Sequence, residues 1–168
     1  MAKEGYSKIF AELKSTIESL GYECIGSEFI KENEMDVLRV YLDKQNGIDI
    51  LDCEKVTREI TEYLDSVESL LPNNYLLEVS SPGIERPLFT IDDYKRFVEK
   101  EIELTLKGNK KVSGTLLSVS DLSEIKLLHK NEEKVYLYSE IVRGKLLFIR
   151  EPGQKKTFKK IASKKKRK

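Results

Sequence analysis

The chain has 168 residues, 39% hydrophobic and 35% charged, which fits one medium or two small globular domains and excludes a largely disordered protein. Its longest apolar run is the four residues 146–149, and the amino terminus lacks an apolar core, so we expect neither a membrane-spanning nor a secreted protein. The net charge of +1 hides three blocks: residues 1–88 carry 9 basic and 18 acidic side chains, residues 89–150 carry 12 and 10, and residues 151–168 carry 9 and 1. The acidic first half would repel phosphate and attract a basic protein, whereas the basic end would do the reverse.

The first half predicts an α-β-β-α-β order. Apolar residues recur at helical spacing from residue 3 to 20, and Gly21 stands at the position of a left-handed helix cap. Alternating apolar residues predict strands at 22–31 and 37–43. Asp49 and Asp52 then form a capping box before a second helix that Pro72 must end, and a third strand spans 75–80. We expect a small sandwich with both helices on one face of a three-stranded sheet.

The second half predicts mostly strands. After a short helical piece at 91–100, strand patterns cover residues 101–107, 111–119, 124–128, 134–138 and 145–149. Five short strands at this spacing predict a small closed β-barrel, and Gly114 would supply a bend. Residues 151–168 have too few apolar side chains to pack, so we expect a basic disordered tail.

The junction LLEVSSPGIERPL, residues 76–88, closely resembles the signature of the bacterial ribosome maturation factor RimP family. The resemblance continues through FIKENEMDVLRVYLDKQNGIDILDCEKVTREI on one side and FTIDDYKRFVEKEIELTL on the other. It implies an α+β protein with an amino-terminal domain joined to an SH3-like or Sm-like β-barrel. It also implies an assembly factor without catalysis that binds the free small ribosomal subunit and promotes its maturation.

These expectations divide the chain into four parts. They are an acidic α+β domain at 1–82, a Pro/Gly connector at 83–88, an SH3-like barrel at 89–150 and a basic tail at 151–168. We expect a cytoplasmic monomer that requires no cofactor. We also expect no metal site, because the two cysteines and the single histidine have no metal-ligand spacing.

The connector allows two interpretations. Pro82 and Pro87 restrict the backbone around them and Gly83 permits a turn, so the segment could serve only to set the angle between two domains. Alternatively, Ser80, Ser81 and Arg86 could present hydroxyls and a guanidinium to a partner, with Gly83 beside them.

The acidic and basic blocks suggest further contacts. Glu59, Glu62 and Glu68 lie opposite the apolar face of the second predicted helix, where they form either a solvated surface or a contact for a basic ribosomal protein. Binding of rRNA would fall to the barrel and to the tail cations Lys155, Lys156, Lys159, Lys160, Lys164, Lys165, Lys166, Arg167 and Lys168.

Two other functions compete with subunit assembly. A general Sm-like RNA-binding module would use only the barrel and tail, but an acidic domain would then oppose binding. An enzyme could use Asp49, Asp52 and Glu54, or Cys24 and Cys53. Helix capping and core packing account for these residues without chemistry, and no phosphate-binding glycine loop is present in the sequence.

Overall fold

The computed structural model describes residues 6–147, an α+β chain built on two sheets. The first sheet and its helices comprise α1 (Ser7–Ser19), β1 (Glu23–Glu32), β2 (Met35–Asp43), α2 (Ile50–Ser66), a 3-10 turn (Glu68–Leu70) and β3 (Tyr75–Ser80). The second part comprises β4 (Pro87–Leu88), α3 (Ile91–Arg96), β5 (Glu101–Leu106), β6 (Lys111–Val119), β7 (Glu124–His129), β8 (Glu132–Leu137), a 3-10 turn (Tyr138–Glu140) and β9 (Ile141–Leu146).

The first sheet has the strand order β1-β2-β3 and confirms the predicted α-β-β-α-β sequence. β1 and β2 form an antiparallel hairpin in which Glu23 lies opposite Asp43, and β3 runs parallel to β2. Leu38, Val40 and Leu42 alternate along β2 and are fully buried in a core cluster that includes α1 and α2 side chains. This alternation places both helices on one face of the sheet.

Local signals set the helix ends. Gly21 follows α1 with a φ of +88°, as the left-handed cap requires. The Asp52 amide donates to Asp49 at 2.9 Å and the Asp49 amide donates to Asp52 at 3.0 Å, which confirms the predicted capping box. The second helix ends at Ser66, so placing Glu68 on this helix was wrong. The Ser66 hydroxyl donates to the Tyr63 carbonyl of the last turn, and the chain continues as a 3-10 turn.

The second sheet has the order β4-β9-β5-β6-β7-β8. Four of the five predicted strands are found within about two residues of their expected bounds. The prediction of the last strand at 145–149 was wrong, because β9 spans Ile141–Leu146 and begins four residues earlier, and β4 is an additional strand. Within residues 6–147 no pairing joins the edge strands β4 and β8, so the closed barrel expected from the sequence is wrong for this part of the chain. β4 consists of only two residues, and one of them is a proline without an amide hydrogen. It therefore has too few backbone donors and acceptors to pair with β8.

Gly114, predicted to supply a bend, lies where a neighbouring strand comes close. A Cβ at this position would overlap the carbonyl group of Leu128 on the neighbouring β7. The close approach of β7 therefore requires a residue without a side chain at this point of β6.

Each sheet has its own apolar core. The first contains Ile9, Leu13, Ile17, Cys24, Leu38, Val40, Leu42, Val56, Ile60, Leu64 and Leu71, and the second contains Leu88, Tyr94, Ile102, Leu104, Val112, Leu116, Ile125 and Leu127. Pro87 and Leu88, assigned from the sequence to the connector, belong to the second sheet through pairing of β4 with β9. Between residues 6 and 147, no helix has the length and apolar character needed to cross a membrane.

Candidate functional site

The predicted partner-binding residues of the connector between β3 and β4 differ in their exposure to solvent. Ser81 and Gly83 are exposed, Ser80 is half-buried at the end of β3, and Gly83 makes its turn with a φ of +66°. Arg86 differs from them because only 10% of its side chain is exposed. The arginine that the sequence offered as a contact for a partner thus points into the molecule.

Arg86 binds two carboxylates of the first sheet. One terminal nitrogen lies 3.0 Å from Glu23 Oε1 and the other lies 3.3 Å from Asp43 Oδ2. Glu23 begins β1 and Asp43 ends β2, and the hairpin register places them directly opposite each other. The connector arginine therefore ties the open end of the hairpin to the start of the second sheet, which favours a geometric role for the connector over direct presentation of Arg86.

A second arginine shares this ion-pair cluster. Arg96, the last residue of α3, lies 2.8 Å from Glu23 Oε1, and both guanidinium groups lie about 5.5 Å or less from the centre of the Phe97 ring. Partial burial acts to raise the pKa of Glu23, but hydrogen bonds from Arg96 and Arg86 outweigh it and lower that pKa. Glu23 is therefore held in its ionised form.

An aromatic contact lies beside the ion-pair cluster. The Phe89 ring packs against Tyr41 of β2, with 5.9 Å between ring centres, and covers Gly26 of β1, where a Cβ would overlap the Phe89 ring. Phe89 is held within the second part by its amide, which donates to Asp93, and by its carbonyl, which accepts from the Tyr138 hydroxyl at 2.6 Å. The backbone of β1 at Gly26 thus forms a packing site, here called the Gly26 seat, for the Phe89 ring from the other part of the chain.

Replacement of Gly26 by alanine tests this seat. Because the added methyl group would overlap the Phe89 ring, we expect Gly26→Ala to lower the free energy of unfolding by about 1–3 kcal/mol. Urea unfolding of Gly26→Ala, Phe89→Leu and the double variant would measure the coupling. The double variant should lose less stability than the sum of the two single changes. Additive losses would mean that Gly26 and Phe89 do not interact as described.

A third link lies on β9. Arg143 is 2.7 Å from Glu28 Oε1 on β1, and Glu28 also accepts a hydrogen bond from Tyr41 at 3.0 Å. Together with the Arg86 and Phe89 contacts, this bond completes what we call the junction: Glu23, Gly26, Glu28, Tyr41, Asp43, Arg86, Phe89, Arg96 and Arg143. Of these residues, only Arg86 was predicted from the sequence as a binding residue.

A polar cleft of about 510 Å³ opens beside the junction. Its wall includes Glu85 of the connector and Glu103 of β5, and Lys145 of β9 lies 2.7 Å and 3.7 Å from these carboxylates. The wall also carries Lys111, 3.4 Å from Glu103, and Arg143, which is paired with Glu28. The charged side chains of the wall are therefore paired with one another or with Glu28.

The acidic surface expected from the sequence is present on α2 and the turn after it. Glu59, Glu62 and Glu68 are all exposed. The carboxylates at the start of α2 are used internally instead. Besides its capping bonds, Asp52 accepts from Tyr22 at 2.9 Å and lies 2.6 Å from Lys44 Nζ. The hydrogen bond from the Asp49 amide, followed by those from Lys44 and Tyr22, lowers the pKa of Asp52.

The two cysteines and the possible metal ligands show no arrangement for chemistry among the described residues. Burial raises the pKa of the Cys24 thiol to about 11 and raises that of Cys53, so both are largely protonated at neutral pH. Residues 6–147 contain no group of three or more His, Cys, Asp or Glu side chains placed to hold a metal ion.

The basic residues have an uneven distribution. The nine predicted RNA-binding cations between Lys155 and Lys168 lie outside the described residues. Three exposed lysines that were not predicted to bind RNA lie where β5 turns into β6. Lys107 and Lys110 belong to the turn, and Lys111 begins β6 and lies 3.4 Å from Glu103. Gly108 and Asn109, both with positive φ, form this turn.

Residues 12–85 match the family model described as the RimP N-terminal domain. The matched segment runs from within α1 through all of the first sheet and into the connector. It ends one residue before Arg86 and includes five junction residues, Glu23, Gly26, Glu28, Tyr41 and Asp43.

Proposed function

This chain belongs to the RimP family of ribosome maturation factors through its amino-terminal domain, and from this we propose that it assists maturation of the small ribosomal subunit without catalysis. It binds the free small subunit in the cytoplasm, with the acidic first part toward a basic ribosomal protein and the second part and tail toward rRNA. The observation that carries this proposal is the family match, and the division of charge assigns the two surfaces.

Three features support this assignment. The first 88 residues have a net charge of −9 and expose Glu59, Glu62 and Glu68, which suits a basic protein and opposes a polyanion. The last 18 residues have a net charge of +8, and the exposed lysines between β5 and β6 add positive charge to the second part. The junction fixes the orientation of the two parts, so that two surfaces can dock together at a lower entropic cost.

A general RNA-binding module is the alternative function. In that case the second part and the tail would bind RNA with little regard for its source, and the first part would serve as a spacer. The SH3-like character expected of the second sheet is compatible with both functions. The two differ in whether a complete subunit is preferred over its RNA.

Co-sedimentation decides between them. We expect the tagged full chain to sediment with isolated small subunits, and to show at least about tenfold weaker binding to large subunits, whole ribosomes and protein-free small-subunit rRNA. Equal binding to small-subunit rRNA and to small subunits would favour the general RNA-binding module. No binding to small subunits would contradict the proposed function.

A further inference from the structure

Within residues 6–147 the two sheets have four edge strands, and three of them carry features that discourage pairing with another chain. β1 contains a bulge between Cys24 and Gly26 and has charged residues along its length, and β4 is two residues long and begins with a proline. β8 begins with the charged sequence Glu-Glu-Lys. Bulges, charges, prolines and shortness are the common means by which proteins protect sheet edges.

β3 has none of these protections. Its six residues, YLLEVS, include no lysine, proline or bulge, and its sole charge, Glu78, is paired with Arg39 at 2.7 Å. The backbone of β2 is hydrogen-bonded to one side of β3. Among the described residues, no backbone hydrogen bond is made on the other side. β3 thus presents an unpaired row of amide and carbonyl groups.

The side chains of β3 are also incompletely covered. Leu77 and Val79 pair in register with Leu38 and Val40, which are fully buried, yet Leu77 and Val79 are only half-buried. On the opposite face Leu76 is 52% exposed. An additional strand beside β3 would cover apolar surface on both faces.

Negative charge flanks the start of this edge. Burial raises the pKa of Tyr75, and the nearby carboxylates of Asp65 and Glu68 raise it further. Both carboxylates are exposed, and Glu68 is one of the three glutamates expected to face a basic partner. A strand bearing lysine or arginine at this end would meet these opposite charges.

We propose that β3 is a docking edge at which an extended segment of a basic protein adds a fourth strand to the first sheet. The segment would place apolar side chains beside Leu77 and Val79 and basic side chains near Asp65 and Glu68. Main-chain hydrogen bonds would supply affinity, and alternate side chains would supply selectivity. This inference rests on the proposed function, since the small subunit supplies the basic protein, and it identifies where that protein binds.

The first experiment is hydrogen–deuterium exchange of the full chain with isolated small ribosomal subunits as the probe. We expect added protection of the amides of residues 75–80, and no such protection when protein-free small-subunit rRNA replaces the subunits. Binding to subunits without protection of β3 would overturn the inference. Equal protection by rRNA alone would also overturn it, because the occupant would not be a protein.

The second experiment compares two variants with the same change of charge. Leu76→Lys puts a charge beside the docking edge, whereas Ile50→Lys changes a 74% exposed residue at the start of α2. We expect Leu76→Lys to weaken binding to small subunits by about tenfold and Ile50→Lys by less than about twofold. Thermal unfolding checks that both variants remain folded.

The outcomes separate the inference from the proposed function. Equal effects of Leu76→Lys and Ile50→Lys, with the native chain still bound to small subunits, would overturn the docking edge alone. Failure of the native chain to bind small subunits would overturn the proposed function and the docking edge together.

Discussion

Arg86→Met is expected to lower the free energy of unfolding by about 1–3 kcal/mol at neutral pH. The change removes a buried cation and leaves Glu23 and Asp43 side by side without their shared partner. Both carboxylates are more than one-third exposed and can recover hydration, so the loss falls below that of a fully buried pair. Urea unfolding of the native chain and the variant measures this difference.

Arg96→Met is the matched control. Arg96 contacts the same carboxylate and the same ring as Arg86, but 56% of its side chain is exposed. We expect its loss to change stability by no more than about 0.5 kcal/mol. If both variants lost the same stability, burial of Arg86 would not explain its effect.

The Arg86 effect should depend on pH. Glu23 has a lowered pKa in the folded chain, so its ionisation contributes stability above the ordinary value of 4.5, and that contribution is lost as the pH falls through the folded pKa. The stability difference between the native chain and Arg86→Met should therefore shrink below about pH 4.5. A difference that stayed constant with pH would point to packing against Phe97 in place of the ion pairs.

Removal of residues 152–168 is expected to change the salt dependence of subunit binding. The removed segment carries nine cations, and each phosphate contact should release a condensed counterion. If about four cations engage together, the slope of log affinity against log salt should flatten by roughly 3 units. Between about 50 and 200 mM salt, the affinity advantage of the full chain should then shrink by roughly 60-fold.

The measurement is a salt titration of binding to small and large subunits by the full chain and by a chain ending at Glu151. Preference for the small subunit should survive the deletion, because phosphate contacts carry little sequence information. Parallel lines for the two chains would contradict an electrostatic role for the tail. Loss of subunit preference would mean that specificity lies within residues 152–168.

The first sheet could be predicted from the sequence because local signals define its elements. Asp49 and Asp52 mark a helix start within four residues, Gly21 marks a helix end, and alternation at 75–80 matches β3. The end of α2 could not be predicted as well from the sequence. An apolar pattern continues toward Leu70, but the helix ends at Ser66 and Leu70 is exposed.

The junction could not be predicted because its pairs are distant along the chain. Arg86 lies 63 residues from Glu23 and 43 from Asp43, and nothing in the sequence selects these two carboxylates from 29 acidic residues. Gly26 gives a weak signal as a glycine within a strand pattern, but its partner Phe89 follows from tertiary contact alone. The prediction of a closed barrel was wrong for a related reason, since strand patterns in the sequence do not reveal which edge strands pair.

The junction contacts one end of the first sheet, so the far end of that sheet would respond most to any change of orientation between the two parts. Glu23 and Asp43 lie at the base of the β1–β2 hairpin, whereas Asn33 and Glu34 form its tip. β3 pairs with β2 as far as Asp36 and the hairpin side chains pack in the first core, so the first part would turn as one body. Strands of this length extend roughly 30 Å, so a rotation of about 10° about the junction would displace the tip by about 5 Å relative to the second part. A fluorescent label at Glu34 could follow such a displacement in Arg86→Met.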